Sequence, residues 1–159
     1  MALVKGTNSY GTVAEADAYF SDRIDVAAWT DASAEEKAKA LVTATKLLDE
    51  IEWPGRVVDV DQPLAFPRIG SYFDPKLGVE VIFDDVDPPS RLINACFELA
   101  YHLCNNDGLL DDTGSVKTIN VGSITLENIM SANKMPHTVK SLIRPIRGQS
   151  AQNSWWRAN

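Results

Sequence analysis

Residues 33–55 read SAEEKAKALVTATKLLDEIEWPG, and they decide how the chain folds. Ser33 followed three residues later by Glu36 has the spacing of a capping box, in which each side chain accepts a hydrogen bond from the other residue's backbone N–H. Leu41, Ala44, Leu48 and Ile51 then recur at steps of three and four, which puts them on one stripe of a helix. Lys37, Lys39, Asp49 and Glu50 fall off that stripe and face water. Pro54-Gly55 stops the helix, because proline has no N–H to donate and glycine frees the backbone.

Two more helices follow from the same logic. Thr12 and Glu15 form a second capping box ahead of a helix over 13–25, with Val13, Ala16, Phe20 and Ile24 as its apolar stripe. Trp29, just after it, plugs the corner between the two helices. Pro88-Pro89-Ser90 opens a helix over 89–106, which Asn105-Asn106-Asp107-Gly108 closes. Its apolar face is wide: Leu92, Cys96, Ala100 and Leu103, with Ile93, Phe97 and Cys104 beside them. Cys96 and Cys104 lie eight residues apart on it, about 12 Å along the axis, too far for a disulfide. They read as small buried apolar residues.

The segment 54–88 fits neither helix nor central strand, because Pro63, Pro67 and Pro75 interrupt it. It contains Gln62-Pro63-Leu64-Ala65-Phe66-Pro67-Arg68 and the alternating Val79-Glu80-Val81-Ile82-Phe83. Either it wraps the chain's own helices or it lies against a neighbouring subunit. Arg68 reads as a structural brace whose guanidinium holds turned carbonyls, with an intersubunit ion pair as the alternative. After Gly114 the period changes to two, and a β-ribbon over 116–126 turns at Gly122-Ser123. A last helix, 137–147, groups Val139, Leu142, Ile143 and Ile146. The expected fold is therefore mainly α: a small helical bundle over 1–149, with a long extended loop (54–88), a β-ribbon and a C-terminal helix, followed by a tail at 150–159.

The chain has 159 residues and a net charge of −7, unevenly spread. All 22 acidic residues lie at or before Glu127, a stretch that carries ten basic ones and a net of −12. The remainder holds Lys134, Lys140, Arg144, Arg147 and Arg157 and no acid. An acidic body opposes nonspecific DNA binding by the whole molecule, while the basic end suits an acidic protein surface or nucleic acid. Trp155-Trp156-Arg157 sharpens that choice. Adjacent side chains point apart, so one local surface cannot bury both rings, and Trp and Arg are frequent binding anchors. Arg144, Arg147, Trp155, Trp156 and Arg157 are accordingly the candidate docking residues.

Neither catalysis nor a cofactor is expected. There is no phosphate loop, no nucleophile elbow and no histidine–nucleophile pairing. Asp84-Asp85-Val86-Asp87 and the Asp107 to Asp112 region read as solvated acidic turns; Leu103 stands where a calcium loop needs its first acid. No stretch has the length and apolarity of a membrane span, and Met1 to Gly6 lack a signal-peptide layout, which points to an intracellular setting.

The ordered set of motifs resembles the small head–tail connector (adaptor, head-completion) proteins of tailed bacteriophages. It comprises Tyr10 with Ala14-Glu15-Ala16-Asp17-Ala18-Tyr19-Phe20, Trp29 before Lys37-Ala38-Lys39-Ala40-Leu41, Trp53-Pro54-Gly55, Phe66-Pro67-Arg68, Pro88-Pro89 and Val121-Gly122. The resemblance implies a homo-oligomeric ring, commonly of twelve copies, in the neck of the virion. The ring joins the portal protein to a tail or tail-completion protein, lets DNA pass without specific binding, and assembles in the bacterial host cytoplasm. Some phage proteins of this look carry a DnaT-like single-stranded-DNA-binding label. On that alternative the C-terminal cations contact phosphates and Trp155 or Trp156 stacks on bases.

Overall fold

The computed structural model describes residues 2–105, 118–121, 124–127 and 135–148. The first helix, α1, is Val13–Phe20, and Thr12 and Glu15 form its capping box at 3.2 and 2.7 Å. It stops five residues before the sequence expectation. Phe20 packs on Trp29 and Tyr101, and the Trp29 indole donates to Asp17 Oδ1 at 2.8 Å. Seating Trp29 so close to α1 turns the chain back, with Asp25 at φ 59°, and leaves Ile24 in solvent rather than on the stripe. Trp29 itself is buried in the one-turn α2, Ala27–Thr30.

The next helix, α3, is Ala34–Asp49, capped by Ser33 and Glu36 as its opening residues require. Leu41, Ala44 and Leu48 are fully buried. After it come four short strands: β1 (Arg56–Val57), β2 (Arg68–Ile69), β3 (Ser71–Asp74) and β4 (Val79–Ile82). They pair antiparallel as β1–β2, with Arg56 opposite Ile69, and β3–β4, with Tyr72 opposite Val81. Then come α4 (Ser90–Cys104), β5 (Thr118–Val121) paired antiparallel with β6 (Ile124–Glu127), and α5 (His137–Arg147). Among the described residues no helix is long and apolar enough to cross a membrane.

The fold is mixed, with helices and antiparallel ribbons together, which corrects the expectation of a mainly α bundle. The difference lies in the proline-rich segment. Its prolines exclude long strands, but they tolerate two-residue and four-residue ones at sheet edges. The segment folds onto the chain's own core: Leu64, Phe66 and Phe83 are buried. Phe66 meets Trp53 and Phe83 edge-on at 5.3 and 5.5 Å.

The core forms where α3 and α4 pack together, with α5 on α4 and β3, and α1 and α2 closing the other side. Its polar insertions are all partnered. Glu98, 4% exposed on α4, accepts from the Tyr19 hydroxyl at 2.7 Å and pairs with Arg23, whose guanidinium lies over the rings of Tyr19 and Phe20. Asp49 at the end of α3 accepts from the Tyr10 hydroxyl and from the Ala65 N–H. Burial raises the Asp49 carboxyl above its ordinary range. Burial and this carboxylate together hold the Tyr10 hydroxyl protonated far beyond neutral pH.

Candidate functional site

The sequence of α5, HTVKSLIRPIR, separates into two faces. Val139, Ile143 and Ile146 are buried in the core. Lys140, Arg144 and Arg147 stand on the exposed face at steps of four and three, which is about 6 and 4.5 Å of rise along the axis. The helix contains no acid. Cations in the last turn also suit the negative end of the helix dipole. Pro145 cannot donate to the turn before it. Gly148, at φ 69°, donates to the Pro145 carbonyl at 3.2 Å and takes the chain out of the helix.

Across from these cations lies the chain that leaves α3. Glu52, Trp53 and Pro54 form one wall of an open groove of about 850 Å³, and Lys140, Ile143, Arg144, Arg147 and Gly148 form the other. Trp53 is fixed on two sides: its indole N–H donates to the Leu48 carbonyl at 2.9 Å, and its ring meets Phe66. Little of the residue is left open, since Trp53 is 8% exposed. The wall behind it is held by Arg68, which donates to the carbonyls of Pro54 (2.8 Å), Trp53 (3.2 Å), Gly55 (2.7 Å) and Ala65 (3.3 Å). The guanidinium fork thus fastens the proline-rich segment to the end of α3.

Arg144 and Arg147 take no part in ion pairs among the described residues, whereas the other cations near a cleft are engaged. A second groove, of about 440 Å³, runs between Ala28, Asp31, Glu36, Lys39, Leu103 and Cys104. Its lysine is tied to Glu35 at 2.7 Å, and its two acids would repel an anion. An anionic ligand is therefore better served by α5. Trp155, Trp156 and Arg157 lie outside the described residues. The roles of Lys140, Trp53 and Pro54 in the groove were missed from sequence. The four-then-three spacing of the basic residues was the available signal for Lys140. Trp53-Pro54-Gly55 gave none beyond a helix stop, because its pairing with α5 depends on how α3, α4 and α5 pack.

A family model described as "Putative DnaT-like ssDNA binding protein" matches residues 2–158. The chain belongs to that family. No curated protein and no solved structure matches it. The match overturns the resemblance to head–tail connectors, and with it the reading as a virion adaptor joining portal to tail. The reason is visible in the packing. Tyr10, Ala16, Phe20, Trp29, Leu41, Trp53 and Phe66, which carried the resemblance, are all buried. They specify a core, and a core does not specify what the surface binds. The portal and tail partners and the twelve-copy ring followed from that resemblance alone, and the match lends them no support.

Proposed function

We propose that the chain binds single-stranded DNA through the exposed face of α5, with Lys140, Arg144 and Arg147 contacting successive phosphates along the groove. The observation that carries this is the concentration of three cations, with no acid among them, on one exposed face of one helix, in a chain whose first 127 residues are strongly acidic. Pro54, Ile143 and Trp53 line the same groove and give bases an apolar neighbour. Glu52 on the opposite wall keeps the strand to the α5 side. The family description points the same way. The role is binding, with no bond made or broken.

Salt dependence tests it. Each phosphate neutralised on a single strand contributes about −0.7 to the slope of log K against log salt, so three contacts give a slope of about −2. Affinity for a labelled oligothymidylate, followed by fluorescence anisotropy, should fall roughly 20-fold between about 50 and 200 mM salt. Replacing Arg144 and Arg147 by Gln should cut the slope to about −0.7. Absence of binding at low ionic strength, or an unchanged slope in the double variant, would refute the assignment.

A further inference from the structure

The β3–β4 ribbon leaves one of its faces bare. Strand alternation sends Tyr72, Asp74 and Val81 to one side, where Tyr72 stacks on Phe83 at 5.5 Å and Asp74 is buried. The other side carries Phe73 and Ile82, which are 59% and 80% exposed. Phe73 lies opposite Glu80, so Ile82 is its diagonal neighbour, within reach at about 7–8 Å. Ile69, two residues before Ser71 and also exposed, continues the row. Leu77 at the turn extends it. Large aliphatic and aromatic side chains in one exposed row on a two-stranded ribbon mark an interaction surface.

The charges around the row say what kind of segment fits it. Glu80 is on the same face, and Asp84, Asp85 and Asp87 follow directly after Ile82 and Phe83; all four are exposed. Between Ile69 and Asp87 the only cation is Lys76, at the turn. A matching segment is therefore apolar and basic. Trp155-Trp156-Arg157, outside the described residues, is such a stretch, with two large aromatic rings beside a cation in a C-terminal portion that has no acid after Glu127. The segment 149–159 can extend for about 35 Å, long enough to leave its own molecule. Within one copy α5 packs against β3. A segment of that reach can also span to the ribbon of a second copy.

We propose that the outer face of the β3–β4 ribbon receives the C-terminal segment of a second copy, one of the adjacent indoles of Trp155 and Trp156 covering Phe73 and Ile82 while Arg157 meets the acids at 84–87. The contact joins two different surfaces, so it runs head to tail. It assigns the covering indole to protein rather than to bases, and it is independent of the DNA reading.

Mixing of full-length variants tests it by sedimentation velocity. Wild type should self-associate above 17.5 kDa. Phe73→Ser/Ile82→Ser loses the receiving face, and Trp155→Ala/Trp156→Ala loses the inserted segment. Phe73 and Ile82 are exposed in the fold, and circular dichroism checks that each variant is folded. Each variant alone should weaken association at least about tenfold, as loss of an aromatic anchor does. The two mixed should form a dimer of twice the chain mass, since the first variant keeps an intact segment and the second an intact face. A monomeric wild type, variants that associate like wild type, or a mixture that stays monomeric would each overturn the proposal. So would tryptophan variants that lose oligothymidylate affinity while keeping wild-type mass.

Discussion

Replacing Arg68 by alanine removes four hydrogen bonds at once, and the structure sets the size of the effect. Three of them, to Trp53, Pro54 and Ala65, are partly buried, while the one to Gly55 is exposed and water can replace it. A net hydrogen bond is worth about 1 kcal/mol, and the charged donor offsets the partial exposure, so Arg68→Ala should cost about 3 kcal/mol. At roughly 2–4 °C per kcal/mol for a chain of this size, the midpoint of thermal unfolding should fall by about 6–12 °C. Arg68→Lys keeps the charge, but a single ammonium on a flexible stem cannot span four carbonyls. It should recover only about 1 kcal/mol of the loss. Urea unfolding followed by tryptophan fluorescence measures both, with the denaturant slope unchanged because the same surface is exposed. The same arginine holds the Trp53-Pro54 wall of the basic groove, so oligothymidylate affinity should also drop under conditions where the variant is fully folded. An alanine variant within about 0.5 kcal/mol of wild type, or a lysine variant equal to wild type, would refute the role given to the guanidinium fork.

Arg91 grips both oxygens of Asp74 at 2.8 and 3.0 Å and, with the Lys76 N–H, lowers the Asp74 carboxyl to about 2. Because the folded value lies below the unfolded one of about 3.9, this stabilisation is complete above about pH 4 and is lost as pH falls towards about 2. Arg91→Ala should therefore flatten the acid limb of urea midpoints in that window, and an unaltered limb would contradict the pairing. Gly55 sits at φ 74°, and a Cβ there would meet the Ile69 carbonyl oxygen at 2.2 Å. Gly55→Ala should lose more than about 2 kcal/mol, while Gly78→Ala, at φ 71° in open space, should lose only about 1 kcal/mol, both read from urea unfolding. Burial raises the Cys96 thiol to about 12 and also raises that of the half-buried Cys104. Ellman's reagent should titrate Cys104 slowly in the native protein and Cys96 only after unfolding; equal native rates would show the core to be more open than described.

The helices were legible because their signals are local. Thr12 with Glu15 and Ser33 with Glu36 fix two helix starts within three residues of sequence, and the stripe of Leu41, Ala44 and Leu48 needs only the helical period. Where α1 ends was not legible, since Phe20 stops it by packing on Trp29 and Tyr101, a partner far along the chain. Nor was the burial of Glu98: nothing local distinguishes it from a solvated acid, and its partners Tyr19 and Arg23 come from α1 and the turn after it. The mixed character of the fold was hidden by the prolines, which exclude long strands but allow the short edge strands β1 to β4. The basic face of α5 could be read from the spacing of Lys140, Arg144 and Arg147. The opposing wall could not, because Trp53 and Lys140 become neighbours only after three helices have packed.

The Asp49 carboxylate has a consequence for the order in which the molecule can assemble. It stands at the negative end of α3, where an anion is disfavoured, and it is kept there by donors from residue 10 on one side and residue 65 on the other. The N-terminal arm and the proline-rich segment share no stretch of sequence, yet both latch onto this one group. Neither latch exists until the last turn of α3 has wound, and opening either side leaves a half-solvated charge for the other to hold alone. The chain's opening residues are thereby tied to the fate of a segment more than fifty positions away.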